Sequence, residues 1–183
     1  MTSDSMTKIK RNAMVAVMLI SAFVSMLNQT ILNTALPAII KGLNITATTA
    51  QWLITGFMLV NGIMIPLTAF LMDKYTTRQL YIFSMAIFLI GSVLASLAPS
   101  FSILMIARVI QAIGAGILLP LMQLTVFTLF PADQRGFAMG LAGVVVQTAP
   151  AIGPTLTGLF IDHFSWRMPF YLVAIIVLIA PLC

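Results

Sequence analysis

The sequence predicts an all-α integral membrane protein with six transmembrane helices. Hydrophobic residues make up 61% of its 183 residues and charged residues only 7%, whereas a soluble domain usually carries about 25% charged residues. The few charges also separate long apolar runs, and most of these reach the roughly 20 residues that a helix needs to cross a bilayer. A chain of this composition cannot cover a soluble surface with polar groups, so we expect the lipid bilayer to surround it.

Six apolar segments are expected to cross the membrane in turn. Their only internal charge is Arg108, which lies near the start of the fourth segment. Short polar stretches separate each segment from the next, so consecutive helices should be antiparallel. We predict a tail at residues 1–13 and a single bundle at 14–183, with no separate soluble domain and with spans at 14–36, 50–72, 80–98, 102–125, 137–160 and 168–183.

The basic residues predict the orientation of the chain. Loops on the cytoplasmic side of a membrane protein carry an excess of lysine and arginine. With the N-terminus inside, the outer loops hold only Lys41 and Arg167, and the inner side holds Lys8, Lys10, Arg11, Lys74, Arg78 and Arg135. We therefore expect a multi-pass protein of the cell membrane with a cytoplasmic N-terminus.

The composition also argues against several classes of function. The single Cys183 and the single His163 cannot form an internal disulfide framework and make a metal centre unexpected. The net charge of +5 is scattered between apolar runs, which is unlike a nucleic-acid interface. No pair of catalytic acids, nucleophile–base set or phosphate-binding loop is visible. We therefore expect no enzyme activity, no cofactor and no nucleic-acid partner.

The fifth span contains an unusual segment from Gly143 to Gly158, GVVVQTAPAIGPTLTG. Proline breaks helices in soluble proteins, but transmembrane helices tolerate it because their neighbours satisfy the freed backbone groups. Small residues recur here at helical spacing beside Gln147. They predict a bent helix with a bare face suited to close packing against another helix, and the segment's small residues are Gly143, Pro150, Gly153, Pro154 and Gly158.

This segment resembles the antiporter motif of exporters in the major facilitator superfamily. Four further segments resemble, in the same order, motifs of the fourteen-spanner drug:proton antiporters of the QacA/EmrB type: LNQTILNTALP (Leu27–Pro37), WLITGFMLVNGIMIPLTAFLMDKYTTRQL (Trp52–Leu80), RVIQAIGAGILLP (Arg108–Pro120) and SWRMPFY (Ser165–Tyr171). The resemblance implies the six-helix N-terminal bundle of the major facilitator fold, built from two inverted three-helix repeats. Because the sixth span stops at Cys183, we expect it to be truncated and the C-terminal half to be absent.

Polar residues inside the spans are the candidates for a substrate cavity or for coupling. Ser21, Ser25 and Asn28 share one face of the first span, and Gln29 and Asn33 lie on an adjoining face; they either line a cavity or join helices. For Arg108 the resemblance implies a part in proton coupling, and the alternative is that it extends to the outer interface. The candidate set is Asn28, Gln29, Asn33, Arg108, Gln111 and Gln147.

The loop between the second and third spans carries Asp73, Lys74 and Arg78. The resemblance implies a cytoplasmic gating loop in which Asp73 meets a helix end of the opposite half; the alternative is an ordinary positive-inside loop. Ala69 and Thr76 stand where the motif usually has glycine. Asn28 also departs from the Asp of many relatives and cannot carry a proton, so we expect proton carriage in the missing half.

With these features, the resemblance implies the N-terminal half of a proton-coupled multidrug efflux antiporter that works by alternating access and confers antibiotic resistance. Its expected partners are a lipophilic or cationic small molecule, protons, the bilayer and the missing C-terminal half. Two alternatives stay open. One is an exporter of a single dedicated metabolite, siderophore or lipid, and the other is a truncated product without transport activity that acts as a membrane interaction partner.

Overall fold

The computed structural model describes residues 8–163 and 168–179, and helices cover nearly all of them. Five helices are long and apolar enough to cross a membrane. The sixth is described over twelve residues. The end of the predicted sixth span and residues 165–167 of the SWRMPFY segment lie outside the described residues. The helices are α1 Lys8–Leu43, α2 Ala47–Lys74, α3 Thr77–Leu97, α4 Phe101–Leu129, α5 Ala132–His163 and α6 Met168–Ile179.

The first five helices confirm the first five predicted spans and begin before them, whereas the twelve described residues of α6 cover only part of the predicted sixth span. α1 begins at Lys8, so part of the tail predicted at 1–13 is helical, although its apolar stretch starts only at Ala13. α5 begins at Ala132 with Asp133 in its first turn, where a negative charge is favourable to the helix dipole. The predicted ends were too short because they followed the apolar runs, and a helix can continue into the polar interface where water satisfies charged side chains.

Side chains rather than glycines make the tight turn between α2 and α3. Thr76 is the N-cap of α3 and accepts a hydrogen bond from the backbone N–H of Gln79 at 3.3 Å, while the Gln79 side chain accepts from the Thr76 N–H at 3.1 Å. This reciprocal pair is a capping box. It explains how Thr76 can occupy a position where the gating-loop motif usually has glycine and still permit a short connection.

α1 and α4 are the helices with the most partners. α4 packs against α1, α2, α3 and α5, and α1 packs against α2, α4, α5 and α6. The contacts are related by a shift of three helices along the chain. Under this shift the extensive α2–α4 contact corresponds to α5–α1, the α1–α2 contact corresponds to α4–α5, and the α3–α6 contact corresponds to itself. This pattern is the one expected of the two three-helix repeats that the sequence predicted.

α3 and α4 touch at their backbones because glycines stand at the contact. A Cβ added at Gly91 would lie 2.8 Å from the backbone nitrogen of Gln111 and 2.9 Å from the Ala107 oxygen. One added at Gly114 would lie 2.7 Å from the Ser84 backbone oxygen. Small residues at helix contacts permit such close approach in membranes.

We expect Gly91→Ala and Gly114→Ala each to lower the thermal unfolding temperature of the protein in detergent. The new methyl group would press on backbone atoms, and overpacking costs typically about 1–3 kcal/mol, more than alanine's gain in helix propensity. Gly62→Ala is the matched control, because nothing lies within 4 Å of a Cβ there. Equal unfolding temperatures in all three variants would contradict the close contact.

The core consists of two apolar clusters stacked along the bundle. The smaller one joins the end of α1, the start of α2, the end of α3, the start of α4 and Phe170 of α6. The larger one occupies the rest of the bundle and draws on all six helices. Between the two clusters lie Ser92 on α3 and Arg108 and Gln111 on α4, all of them buried. The bundle therefore contains a polar layer enclosed by apolar side chains.

Candidate functional site

The polar layer is organised around Arg108. Its side chain is only 1% exposed, and its Nη1 donates a hydrogen bond to Gln111 Oε1 at 2.8 Å. Gln111 Nε2 in turn donates to Ser92 Oγ at 3.0 Å. The guanidinium carbon lies 4.3 Å from the centre of the Phe57 ring, which is within range of a cation–π interaction. We call Phe57, Ser92, Arg108 and Gln111 the Arg108 network.

Three helices build the Arg108 network. Arg108 and Gln111 are three residues apart on α4, a spacing that places two side chains on one helix face. Gly91 of α3 leaves room for Gln111, whose Cγ would be 2.7 Å from an added Cβ. Its neighbour Ser92 supplies the acceptor, and α2 contributes the Phe57 ring. The guanidinium is therefore held inside the bundle. It does not extend to the bundle surface, which is where the interface alternative would place it.

Arg108 has no described carboxylate near it. Among the side chains that the structure describes, the acids are Asp73 in the last turn of α2 and Asp133 in the first turn of α5. Both lie at the end of the bundle where α4 finishes, about 30 Å from Arg108 at 1.5 Å per residue. Among the described side chains, a hydrogen bond to a neutral amide and contact with an aromatic ring stabilise the guanidinium.

The amides predicted from α1 and α5 have different surroundings. Asn28 is completely buried with Ser21 and Ser25 on the same face, and within the described part of the chain neither its Oδ1 nor its Nδ2 has a hydrogen-bond partner. Gln29 is half-buried, and Asn33 and Gln147 are exposed. Of the six candidates, the structure thus joins only Arg108 and Gln111 by a hydrogen bond.

Gln147 lines a groove between α1, α2, α4 and α5. The groove has a volume of about 420 Å³ and also contains Gly143. Its remaining walls are mostly apolar and include several flexible side chains, which are Met26, Ile65, Leu119, Pro120, Met122, Gln123, Met139, Ala142 and Val146. This surface brings the first span, the fourth span and the antiporter segment together.

The antiporter segment packs closely at one glycine. α5 continues through Pro150 and Pro154, and a Cβ added at Gly153 would collide with Thr30 Oγ1 of α1. By contrast, no described atom outside α5 lies within 4 Å of a Cβ added at Gly143 or Gly158, and Pro154 is exposed while Pro150 is half-buried. Close packing of the whole bare face therefore stays a prediction, and only Gly153 meets a described helix.

The charges of the predicted gating loop are at the surface. Asp73, Lys74 and Arg78 are all exposed, and the Lys74 ammonium lies 4.5 Å from the centre of the Phe70 ring. No ion pair is found for them among the described residues. A gating role for Asp73 therefore stays a prediction.

Sequence reasoning missed the partners that hold the site together. Phe57 and Ser92 contact Arg108 and Gln111 from other helices, and Tyr81 shares a buried 2.7 Å hydrogen bond with Ser21 across α1 and α3. The adjacent Gly91 and Ser92 in an otherwise apolar stretch were the available signal for the contact with Gln111.

Comparisons with known proteins agree with this architecture. The relatives include an uncharacterized MFS-type transporter, YcnB of Bacillus subtilis, which is 52% identical over 94% of this chain and 36% of the relative. The lincomycin resistance protein LmrB of Bacillus subtilis is 44% identical over 85% of this chain and 32% of its own length. The probable multidrug resistance protein EmrY of Escherichia coli is 34% identical over 90% of this chain and 32% of its own length. The chain thus spans about a third of these relatives.

A solved structure shares the fold. A bacterial homologue of the human lysosomal transporter Spinster, in an inward-facing and unoccupied conformation, superposes with a TM-score of 0.75 at 19% identity, over 97% of this chain and 43% of that one. The sequence-family model of the Major Facilitator Superfamily matches residues 18–183 of this chain. This match covers nearly the whole sequence, and the helical bundle with its repeat-like contacts is consistent with it. The chain therefore belongs to the Major Facilitator Superfamily.

Proposed function

We propose that this chain is the N-terminal half of a proton-coupled multidrug efflux antiporter in the cell membrane, working by alternating access. Membership of a transporter superfamily supports transport, and relatives named for lincomycin resistance and probable multidrug resistance favour drugs as the cargo. The Arg108 network carries the proposal, because an ionisable residue buried within a transmembrane bundle is costly and usually marks a substrate or ion pathway.

We place this half's share of the substrate cavity in the groove lined by Gln147 and Gly143. Its methionines are flexible and polarisable, which suits lipophilic molecules of different shapes, and its two glutamines can donate or accept hydrogen bonds. Substrate sites of such transporters lie where two halves meet, and the groove is open on the described bundle. A cationic substrate and the transported proton would find their acidic groups in the second half, since Asn28 is neutral.

One relative favours a second candidate. The riboflavin transporter RibZ of Clostridioides difficile is 37% identical over 80% of this chain and 32% of its own length. Export of one dedicated metabolite, siderophore or lipid therefore remains the competing hypothesis. A truncated product that acts only as a membrane interaction partner is the third.

Proton exchange in proteoliposomes tests the leading proposal. The protein in which residues 1–183 continue into a second half would be reconstituted with a pH-sensitive dye inside. We expect lincomycin and lipophilic cations each to drive proton movement that an uncoupler abolishes. A response to riboflavin alone would favour the metabolite hypothesis, and no response to any compound would contradict antiport.

Residues 1–183 alone are expected not to transport. Alternating access needs two bundles that rock about a shared site, and the groove beside Gln147 would lack its opposite wall. The measurement is growth of a drug-hypersensitive strain expressing this segment, with the longer protein at matched membrane abundance as control. Drug resistance from the segment alone would refute the division into halves and favour assembly of several copies.

Cysteine labelling tests the proposed cytoplasmic N-terminus. Thr48 in the first turn of α2 and Gln134 in the first turn of α5 are both exposed and lie at opposite ends of the bundle. In a Cys183→Ser background, a membrane-impermeant maleimide should label Thr48→Cys in whole cells. Gln134→Cys should react only after the membrane is opened, and the reverse pattern would invert the topology.

A further inference from the structure

Arg108 holds an unused hydrogen-bond donor in the middle of the bundle. Its Nη1 donates a hydrogen bond to Gln111, but its Nε is buried and has no hydrogen-bond partner among the described residues. The Phe57 ring contacts the guanidinium but carries no oxygen or nitrogen that could accept a hydrogen bond from Nε. The N–H groups of a guanidinium lie in its plane, so the Nε edge is the place where an acceptor would bind.

The positive charge at this position also has no carboxylate near it among the side chains that the structure describes. Gln111 and Ser92 are neutral, and the described acids Asp73 and Asp133 lie at the far end of the bundle. Removing an isolated charge from water is expensive unless an opposite charge or several hydrogen bonds replace the water. A single neutral acceptor and an aromatic ring meet only part of that requirement.

Asn28 provides an independent observation of the same kind. It is 0% exposed, and both polar atoms of its side chain are without a partner. Asn28 lies on α1, which packs against α4. Along α1, Asn28 lies one turn before the point where the buried residues change from the larger apolar cluster to the smaller one. Arg108 and Gln111 occupy the corresponding point of α4. Two buried side chains with unused donors thus lie on two contacting helices, with Asn28 one turn of α1 from the level of the polar layer.

We propose that the polar layer is a binding site for a monovalent anion, with Arg108 Nε as its principal donor and Asn28 Nδ2 as a second donor from α1. The ligand is chloride or the carboxylate of an organic solute, since either supplies one negative charge and accepts hydrogen bonds. Charge-assisted hydrogen bonds of this type are among the strong ones in proteins. Because Arg108 is 1% exposed, the anion enters through a local separation of the helices and then stabilises the closed bundle.

This site goes beyond the proposed export function, because binding requires neither a proton gradient nor a drug. Failure of the antiport experiment would therefore leave the anion site standing, and the reverse also holds.

Thermal unfolding of the full-length protein in detergent tests the site. Sodium chloride, acetate and benzoate would be titrated separately at constant ionic strength against a bulky sulfonate buffer salt. Ligand at ten times its dissociation constant should raise the unfolding temperature of a protein of this length by about 1–2 °C, and the rise should saturate. A stronger effect of chloride assigns an inorganic ion, and a stronger effect of benzoate assigns the carboxylate of an organic solute.

Variants then locate the site. Arg108→Gln should abolish the saturable rise, and Asn28→Leu should raise the half-saturating concentration several-fold. Arg78→Gln is the matched control, since Arg78 is an exposed arginine, and it should respond as the unsubstituted protein does. If Arg108→Gln does not fold, the chlorine-35 resonance of chloride gives a second measurement of binding. The unsubstituted protein should broaden this resonance, and addition of the tighter-binding anion should reverse the broadening. Absence of saturable binding in the unsubstituted protein, or an unchanged response in folded Arg108→Gln, would overturn the proposal.

Discussion

Replacing Gly153 with leucine is expected to force α5 away from α1 and to abolish drug export by the longer protein. Even a single methyl group at this position would collide with Thr30 Oγ1 and lie 3.0 Å from Thr30 Cβ, and leucine adds three further carbons. Overpacking costs typically about 1–3 kcal/mol, so the unfolding temperature should fall by several degrees. Unfolding in detergent and resistance of cells at equal expression measure the two effects.

Gly140→Leu is the control for this prediction. Gly140 lies on the same helix, is exposed, and has no atom within 4 Å of an added Cβ. Its substitution should leave the unfolding temperature of the protein close to the original value. Unchanged stability and full resistance in Gly153→Leu would mean that α5 packs on α1 less closely than the structure describes.

Replacing Arg108 with alanine is expected to lower proton-driven efflux by about tenfold or more, which corresponds to at least about 1.4 kcal/mol in the rate-limiting barrier. The change removes the charge, the contact with Phe57 and the donor to Gln111 Oε1. A buried acceptor left without its donor costs about 1–3 kcal/mol. Arg108→Lys keeps the charge on a flexible side chain and should retain part of the activity.

Uptake of a fluorescent substrate into everted vesicles under an imposed pH gradient measures this effect. Lys41→Ala, at an exposed lysine outside every candidate site, controls for a general loss of positive charge. To separate coupling from folding, each variant is compared with its own unfolding temperature and with downhill substrate exchange in the absence of a gradient. Full gradient-driven uptake by a folded Arg108→Ala protein would restrict Arg108 to a structural role.

The helices could be predicted from the sequence because the charges divide it so clearly. A transmembrane helix satisfies its own backbone, so its existence depends on local composition and does not require knowledge of its neighbours. The ends were less predictable: α1 starts at Lys8 and α5 at Ala132, because capping and interfacial solvation continue the helix where the apolar run has stopped.

The site could be predicted only within single helices. The shared face of Arg108 and Gln111 follows from their spacing on α4, and the burial of Ser21, Ser25 and Asn28 follows from their spacing on α1. Phe57 and Ser92 could not be assigned because their roles depend on which helices are adjacent and at what depth they meet. The same reason explains why Gly153 was not distinguished from Gly143 and Gly158, although only Gly153 lies against Thr30.

The partner relationships of the helices have a consequence for synthesis of the protein. α3 packs most extensively on α4, its successor in the chain, whereas the main partner of α1 is α5. α1 ends at Leu43 and α5 at His163, so at 5–20 residues per second about 120 residues, or roughly 6–24 s of translation, separate their completion. During that interval the surface of α1 around Thr30, against which Gly153 of α5 packs in the finished bundle, has no α5 to cover it. The nascent α1 therefore has to be retained beside the insertion machinery or at the lipid interface until its late partner arrives.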